Sequence, residues 1–103
     1  MSLDDLTAEE REIVRRSLVA AANGPYFPEC EFQTLFGVTR AEVSDVLRAW
    51  PVVDESHDVV SLSINNALGN LFGYPHGRTE QLERELGITV AQLEEVFWKW
   101  RRS

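Results

Sequence analysis

Apolar residues recur at helical spacing in six stretches of this chain, and each stretch is bracketed by start and stop signals. Thr7-Ala8-Glu9-Glu10 reads as a capping box, followed by Ile13, Val14, Leu18 and Ala21 on one helical face. Asn23-Gly24-Pro25 stops that helix. Tyr26 and Phe27 lie in the connection, and Pro28 suits the first turn of a second helix running to about Phe36. Gly37 is placed to take the left-handed conformation that closes a helix. Thr39-Arg40-Ala41-Glu42 is a second capping box. It opens a helix with Val43, Val46, Leu47 and Trp50 on one face, ended by Pro51.

The pattern changes over residues 51–62. Val52-Val53 and Val59-Val60 flank an acidic stretch, which predicts either two short strands forming a β-bridge or an extended linker. Helical periodicity then resumes. Ser63 is placed to cap a helix carrying Ile64, Leu68, Leu71 and Phe72, stopped by Gly73-Tyr74-Pro75. Thr79 caps a helix running to Leu86, and Gly87 turns the chain. Thr89-Val90-Ala91-Gln92 opens a last helix with Leu93, Val96, Phe97 and Trp100 on one face.

The second set of elements repeats the first at an offset of 50 residues. Residues 37–50 read GVTRAEVSDVLRAW and residues 87–100 read GITVAQLEEVFWKW, with Gly, Thr, Ala, Val and Trp identical. The same offset pairs Val14 with Ile64, Leu18 with Leu68, Pro25 with Pro75, and Phe32 with Leu82. A gapless offset across three helices and two turns predicts a structural repeat rather than chance likeness of amphipathic helices. The expectation is an all-α fold of about six helices. Two pseudo-symmetric three-helix units, 8–50 and 61–103, would share one core, joined by the acidic linker 51–60, in a single compact domain spanning 1–103. A unit of half this length buries too little to stand alone.

Within each unit, a helix, a glycine turn and a Thr-capped helix resemble the helix-turn-helix. The resemblance covers residues 29–48 and 79–98. Phe32, Phe36, Val38, Val43 and Val46 fill its apolar places in the first unit, and Leu82, Leu86, Ile88, Leu93 and Val96 in the second. Both units depart where the two helices cross. The motif favours a small residue there, and this chain has Gln33 and Glu83, which must widen the crossing or point aside. No particular family is implied.

Composition narrows the function classes. The chain has 103 residues and a net charge of −7. Residues 1–10 carry four acids and no base, and residues 51–60 carry Asp54, Glu55 and Asp58 and no base. Residues 11–50 hold five charges of each sign, as do residues 61–103. The acidic excess therefore sits in the leader and the linker. It opposes phosphate backbones without making either unit repulsive to them. Cys30 is the single cysteine, which excludes an internal disulfide and fits a reducing cytoplasm. It should behave as a small, half-buried residue. The apolar runs are too short to span a bilayer.

Candidate contacts separate two readings. On the DNA reading, Thr39, Arg40, Ser44 and Arg48 face outward on the first recognition helix, although Asp45 opposes phosphate. The second helix would present Thr89, Val90, Glu94, Glu95 and Trp98, a poor surface for nucleic acid. On the protein reading, Trp98 beside Glu94 and Glu95 is an anchor of the kind interfaces use, unless it packs between the units. The loop Gly73-Tyr74-Pro75-His76-Gly77 with Arg78 adds a second candidate contact. No catalytic motif, phosphate-cradling loop, zinc motif or dinucleotide fingerprint is present, so neither metal nor cofactor is expected. Asp54-Glu55-Ser56-His57-Asp58 lacks the spacing of an ion loop and reads as a solvated turn. The leading expectation is a small, non-catalytic, cytoplasmic module, monomer or homodimer, that binds another protein. An acidic inhibitor of the immunity type, for a basic partner, is one form of it. A helix-turn-helix transcriptional regulator is the alternative.

Overall fold

In the computed structural model, which describes residues 1–103, Thr7 caps the first helix. Its hydroxyl accepts from the Glu10 N–H and the Glu10 carboxylate accepts from the Thr7 N–H at 2.8 Å. Helix α1 runs Ala8–Asn23, α2 Glu29–Phe36, α3 Arg40–Ala49, α4 Asp58–Gly73, α5 Thr79–Leu86 and α6 Val90–Arg102. The capping boxes at Thr39 and Thr89 are both formed, and Gly37 and Gly87 close α2 and α5 in the left-handed region, at φ 70° and 76°. A side chain would be strained at either glycine. A short 3-10 turn, Leu3–Asp5, precedes α1 and buries Leu3.

The β-bridge, one of the two alternatives for 51–62, does not form, and the chain is all-α. Val52 stands out in solvent, while Val59 and Val60 lie in the first turn of α4. That helix starts at Asp58, and its cap position, His57, lies six residues before the Ser63 expected to cap it. Ser63 is instead buried inside α4, its hydroxyl without a partner. The reason is packing: with the helix begun at Asp58, Val59 and Val60 become half-buried helical residues facing α3. Two isolated valine pairs would have formed no more than a two-stranded ribbon, which is marginal in water. The helical start also overlaps the linker, leaving 50–57 as the connection. Two smaller shifts occur. Pro28 and Arg78 occupy the cap positions, with Glu29 and Thr79 the first helical residues.

The core is one continuous cluster drawn from every helix. Helices α1 and α4 form its centre and pack on each other. Each then carries the third helix of its own half, α3 on α1 and α6 on α4. The second helices cross over: α5 packs on α1, and α2 packs on α4. Neither half is therefore covered by its own residues alone, in keeping with how little surface fifty residues bury. Two side chains seal the crossings. Arg16 of α1 donates to the Leu86 carbonyl at the end of α5 (3.2 Å), and Asn66 of α4 donates to the Phe36 carbonyl at the end of α2 (2.7 Å). These satisfy carbonyls that a helix end otherwise leaves open.

Aromatic packing fixes the first half. Phe32 and Phe36 stack at 4.1 Å between centroids, and Phe27 meets Phe36 edge-on at 5.1 Å. Gly24 is required by a close approach: a Cβ there would lie 2.7 Å from the Tyr26 ring and 2.5 Å from the Ala20 carbonyl oxygen. No helix is long and apolar enough to cross a membrane.

Candidate partner-binding surface

The face of α6 that turns away from α4 follows from its sequence register. Leu93, Val96, Phe97 and Trp100 are buried, which leaves Glu94, Glu95 and Trp98 outward. Trp98 is 45% exposed, whereas Trp100, two residues on, is fully buried. Trp98 therefore does not pack between the halves. Its indole N–H donates to a Glu94 carboxylate oxygen at 3.3 Å, one turn back on the helix. Its ring meets Phe97 edge-on at 5.0 Å, and Phe97 meets Phe72 of α4 at 5.3 Å. Arg101 lies over the Phe97 ring and donates to the Asn65 side chain at 2.5 Å. A connected aromatic strip thus runs from half-buried Phe72 to exposed Trp98, with carboxylates on its outer side. Neither Glu94 nor Glu95 has a cationic partner.

The loop after α4 is built differently. His76 Nδ1 accepts from the Arg78 N–H at 3.0 Å, which leaves the proton on Nε2 to donate to the Leu71 carbonyl at 2.9 Å. His76 thus closes the end of α4. Its ring also packs against fully buried Tyr26 at 5.1 Å. Burial pushes the Tyr26 hydroxyl well above the usual tyrosine range, with the carboxylate of Glu85 adding to the effect. Tyr74 packs its ring on Phe27 and donates its hydroxyl to Glu31 at 2.5 Å, a bond that raises its pKa. Only Arg78 of this trio is exposed. No hydrogen bond, ion pair or ring contact joins Tyr74, His76 and Arg78 to Trp98, Glu94 and Glu95. The six expected contact residues form two groups.

The residues singled out for DNA are largely engaged within the chain. Arg40 donates to the carbonyls of Ala21 (3.0 Å), Ala22 (2.9 Å) and Phe27 (3.1 Å), and pairs with Glu29 at 2.7 Å. Its guanidinium also lies 4.3 Å from the Phe32 ring centroid. It is a helix-end cap rather than an outward probe. Thr39 is held by its capping box, Ser44 is half-buried, and Arg48 pairs with Asp45. Gln33 points aside into solvent, while the Glu83 carboxylate accepts from the Val90 N–H at 2.9 Å and serves the start of α6. Both crossing departures are thus accommodated.

Three features were not legible in the sequence. Glu55, placed above in a solvated turn, instead accepts the buried Trp100 indole N–H at 2.8 Å and the Leu3 N–H at 2.9 Å. It ties the leader, the linker and α6 together, and nothing in its local sequence separates it from Asp54 or Asp58. Cys30, expected half-buried, is exposed, because its turn of α2 packs through Phe32. Finally, α1 and α6 border a groove of about 870 Å³, floored by Ile13, Ile88 and Val96 and bridged by the Lys99–Glu10 ion pair at 2.7 Å. That pair, through its hydrogen bond, holds the Glu10 carboxyl below the usual carboxylate range. No cluster of three or more metal-ligating side chains is present.

Comparison with family models, curated proteins and solved structures finds no match to this chain.

Proposed function

We propose that this chain is a non-catalytic protein-binding module built of two fused trihelical units, and that α6 carries its recognition face. The observation behind the proposal is the exposed Trp98, set at the end of an aromatic strip and bonded to the Glu94 carboxylate, with exposed Glu95 next in the chain and neither acid in an ion pair. A large aromatic side chain left in water gains most by being covered, and tryptophan is the residue most enriched at interface centres. The local charge selects a basic partner, in line with the net charge of −7. An inhibitor of the immunity type is one protein that would work this way.

Side-chain contacts support the duplication. Arg16 closes α5 as Asn66, fifty residues on, closes α2, at carbonyls also fifty residues apart. The end of α1 is closed at Ala21 by Arg40, and the end of α4 at the corresponding Leu71 by His76. The second unit has Val90 where the first has Arg40, so a different side chain does the capping. What also differs between the units on the outward face is Ser44 and Arg48 against Glu94 and Trp98. With Arg40 engaged internally and Arg48 paired to Asp45, the protein reading is favoured over DNA.

Affinity capture from the native cell, with the bound material read for proteins and for nucleic acid, tests this. The expected result is a basic protein retained by the wild type and largely lost with Trp98→Ala. Nuclease-sensitive nucleic acid retained equally by both would overturn it.

A further inference from the structure

The chain already shows how it holds an arginine. Arg40 lies against the Phe32 face at 4.3 Å and pairs through Nε with Glu29 at 2.7 Å. Arg101 lies 5.8 Å from the Phe97 centroid with its guanidinium bonded to Asn65. In both places a planar cation rests on an aromatic ring while a side-chain oxygen accepts its N–H. Trp98 and Glu94 offer the same pair of groups at the surface, with no cation of the chain over the indole. The Glu94 oxygen bonded to the indole N–H fixes the ring edge, and its second oxygen is free to accept. Two of the cations nearby are committed elsewhere, Arg101 to Phe97 and Asn65 and Lys99 to Glu10, and Arg102, exposed on the next turn, makes no contact with the indole.

We infer that Trp98 and Glu94 form a receptor for an arginine side chain of the partner, with Glu95 adding a longer-range attraction. The guanidinium would stack on the indole and donate to the free Glu94 oxygen. Tryptophan is the strongest of the aromatic faces for a cation, and arginine adds planar stacking and a fork of donors that lysine lacks. The inference rests on the protein-binding reading but narrows it to one side chain of the partner.

The test uses the full chain and two blocked tripeptides, Gly-Arg-Gly and Gly-Lys-Gly, followed through the three tryptophan indole N–H resonances. Trp98→Phe identifies the Trp98 signal by its loss. The expected outcome is that the Trp98 resonance alone moves, with the arginine peptide half-saturating at a concentration about fivefold lower than the lysine peptide. Glu94→Gln should weaken the arginine response about threefold while the other two indoles stay in place. Equal responses to the two peptides, equal movement of all three indoles, or no effect of Glu94→Gln would each overturn the receptor. The capture experiment is independent of it: a partner retained through Trp98 without an arginine preference ends this inference and leaves the module reading standing.

Discussion

Helices α3 and α6 start from nearly the same sequence and finish in different surroundings. Helix α3 packs on both α1 and α4. Its seam with α4 is lined by Val46, Val53, Val59 and Val60 and leaves a smaller groove of about 340 Å³. Helix α6 packs on α4, but its flank toward α1 stays open as the larger groove, where Lys99 and Arg102 stand in place of Ala49 and Val52. The tryptophans that end the two matching strings diverge accordingly. Trp100 is fully buried and hydrogen-bonded to Glu55, whereas Trp50 is half-buried at the end of α3, beside Pro51. Equal amphipathic patterns thus secure equal inner faces, while the flanks depend on what the rest of the chain brings alongside.

The contrast can be broken at its most buried point first. Trp100→Ala should cost about 3–5 kcal/mol, a large fraction of the stability of a domain this size, and Trp50→Ala clearly less. Urea denaturation of the two variants checks this, and equal losses would erase the asymmetry. Next comes the capping of α1. Arg40→Ala leaves the Ala21 and Ala22 carbonyls short of a donor and strips the Phe32 face, for a loss of about 2 kcal/mol. Arg48→Ala, on the same helix but solvent-facing, should stay within about 0.5 kcal/mol by thermal unfolding. A comparable loss at both would mean that Arg40 is not the cap described.

Glu55→Gln removes a charged acceptor shared by Trp100 and Leu3 and should cost about 1–2 kcal/mol. Hydrogen exchange should then quicken at the Leu3 amide and the Trp100 indole, while α2 is unaffected. Smallest is the strut across the open groove. Lys99→Met should change stability by about 0.5 kcal/mol or less, since the pair is partly exposed. Its pH signature is sharper. Glu10 has its pKa lowered on folding, chiefly by Lys99, so its contribution is complete above the usual carboxylate range and is lost as pH falls through the folded value. Wild type and Lys99→Met should therefore converge in stability at acid pH; a gap that persists there would exclude the ion pair as its source.

The comparison also shows which parts of the chain were readable. The three threonine capping boxes and the two turn glycines depend on residues within one turn of each other, and they formed as the sequence predicts. The start of α4 did not, because the choice between strand, linker and helix for Val59-Val60 depended on a facing helix to bury them. Trp98 was readable as an off-face residue, but only the packing of α6 settled that it stands in solvent. Arg40 misled for the opposite reason. Outward spacing on its own helix brought it against the end of another.

By itself the sequence determined six helices, the three threonine capping boxes, the two turn glycines and the inner faces the helices bury, because these follow from local hydrogen bonding and a 3.6-residue period. Tertiary structure alone decided that the second helices exchange places across the α1/α4 pair, that Glu55 locks the leader to α6, and that one seam leaves a smaller groove than the other. Each depends on groups that meet from distant parts of the chain, where periodicity carries no information about the neighbour.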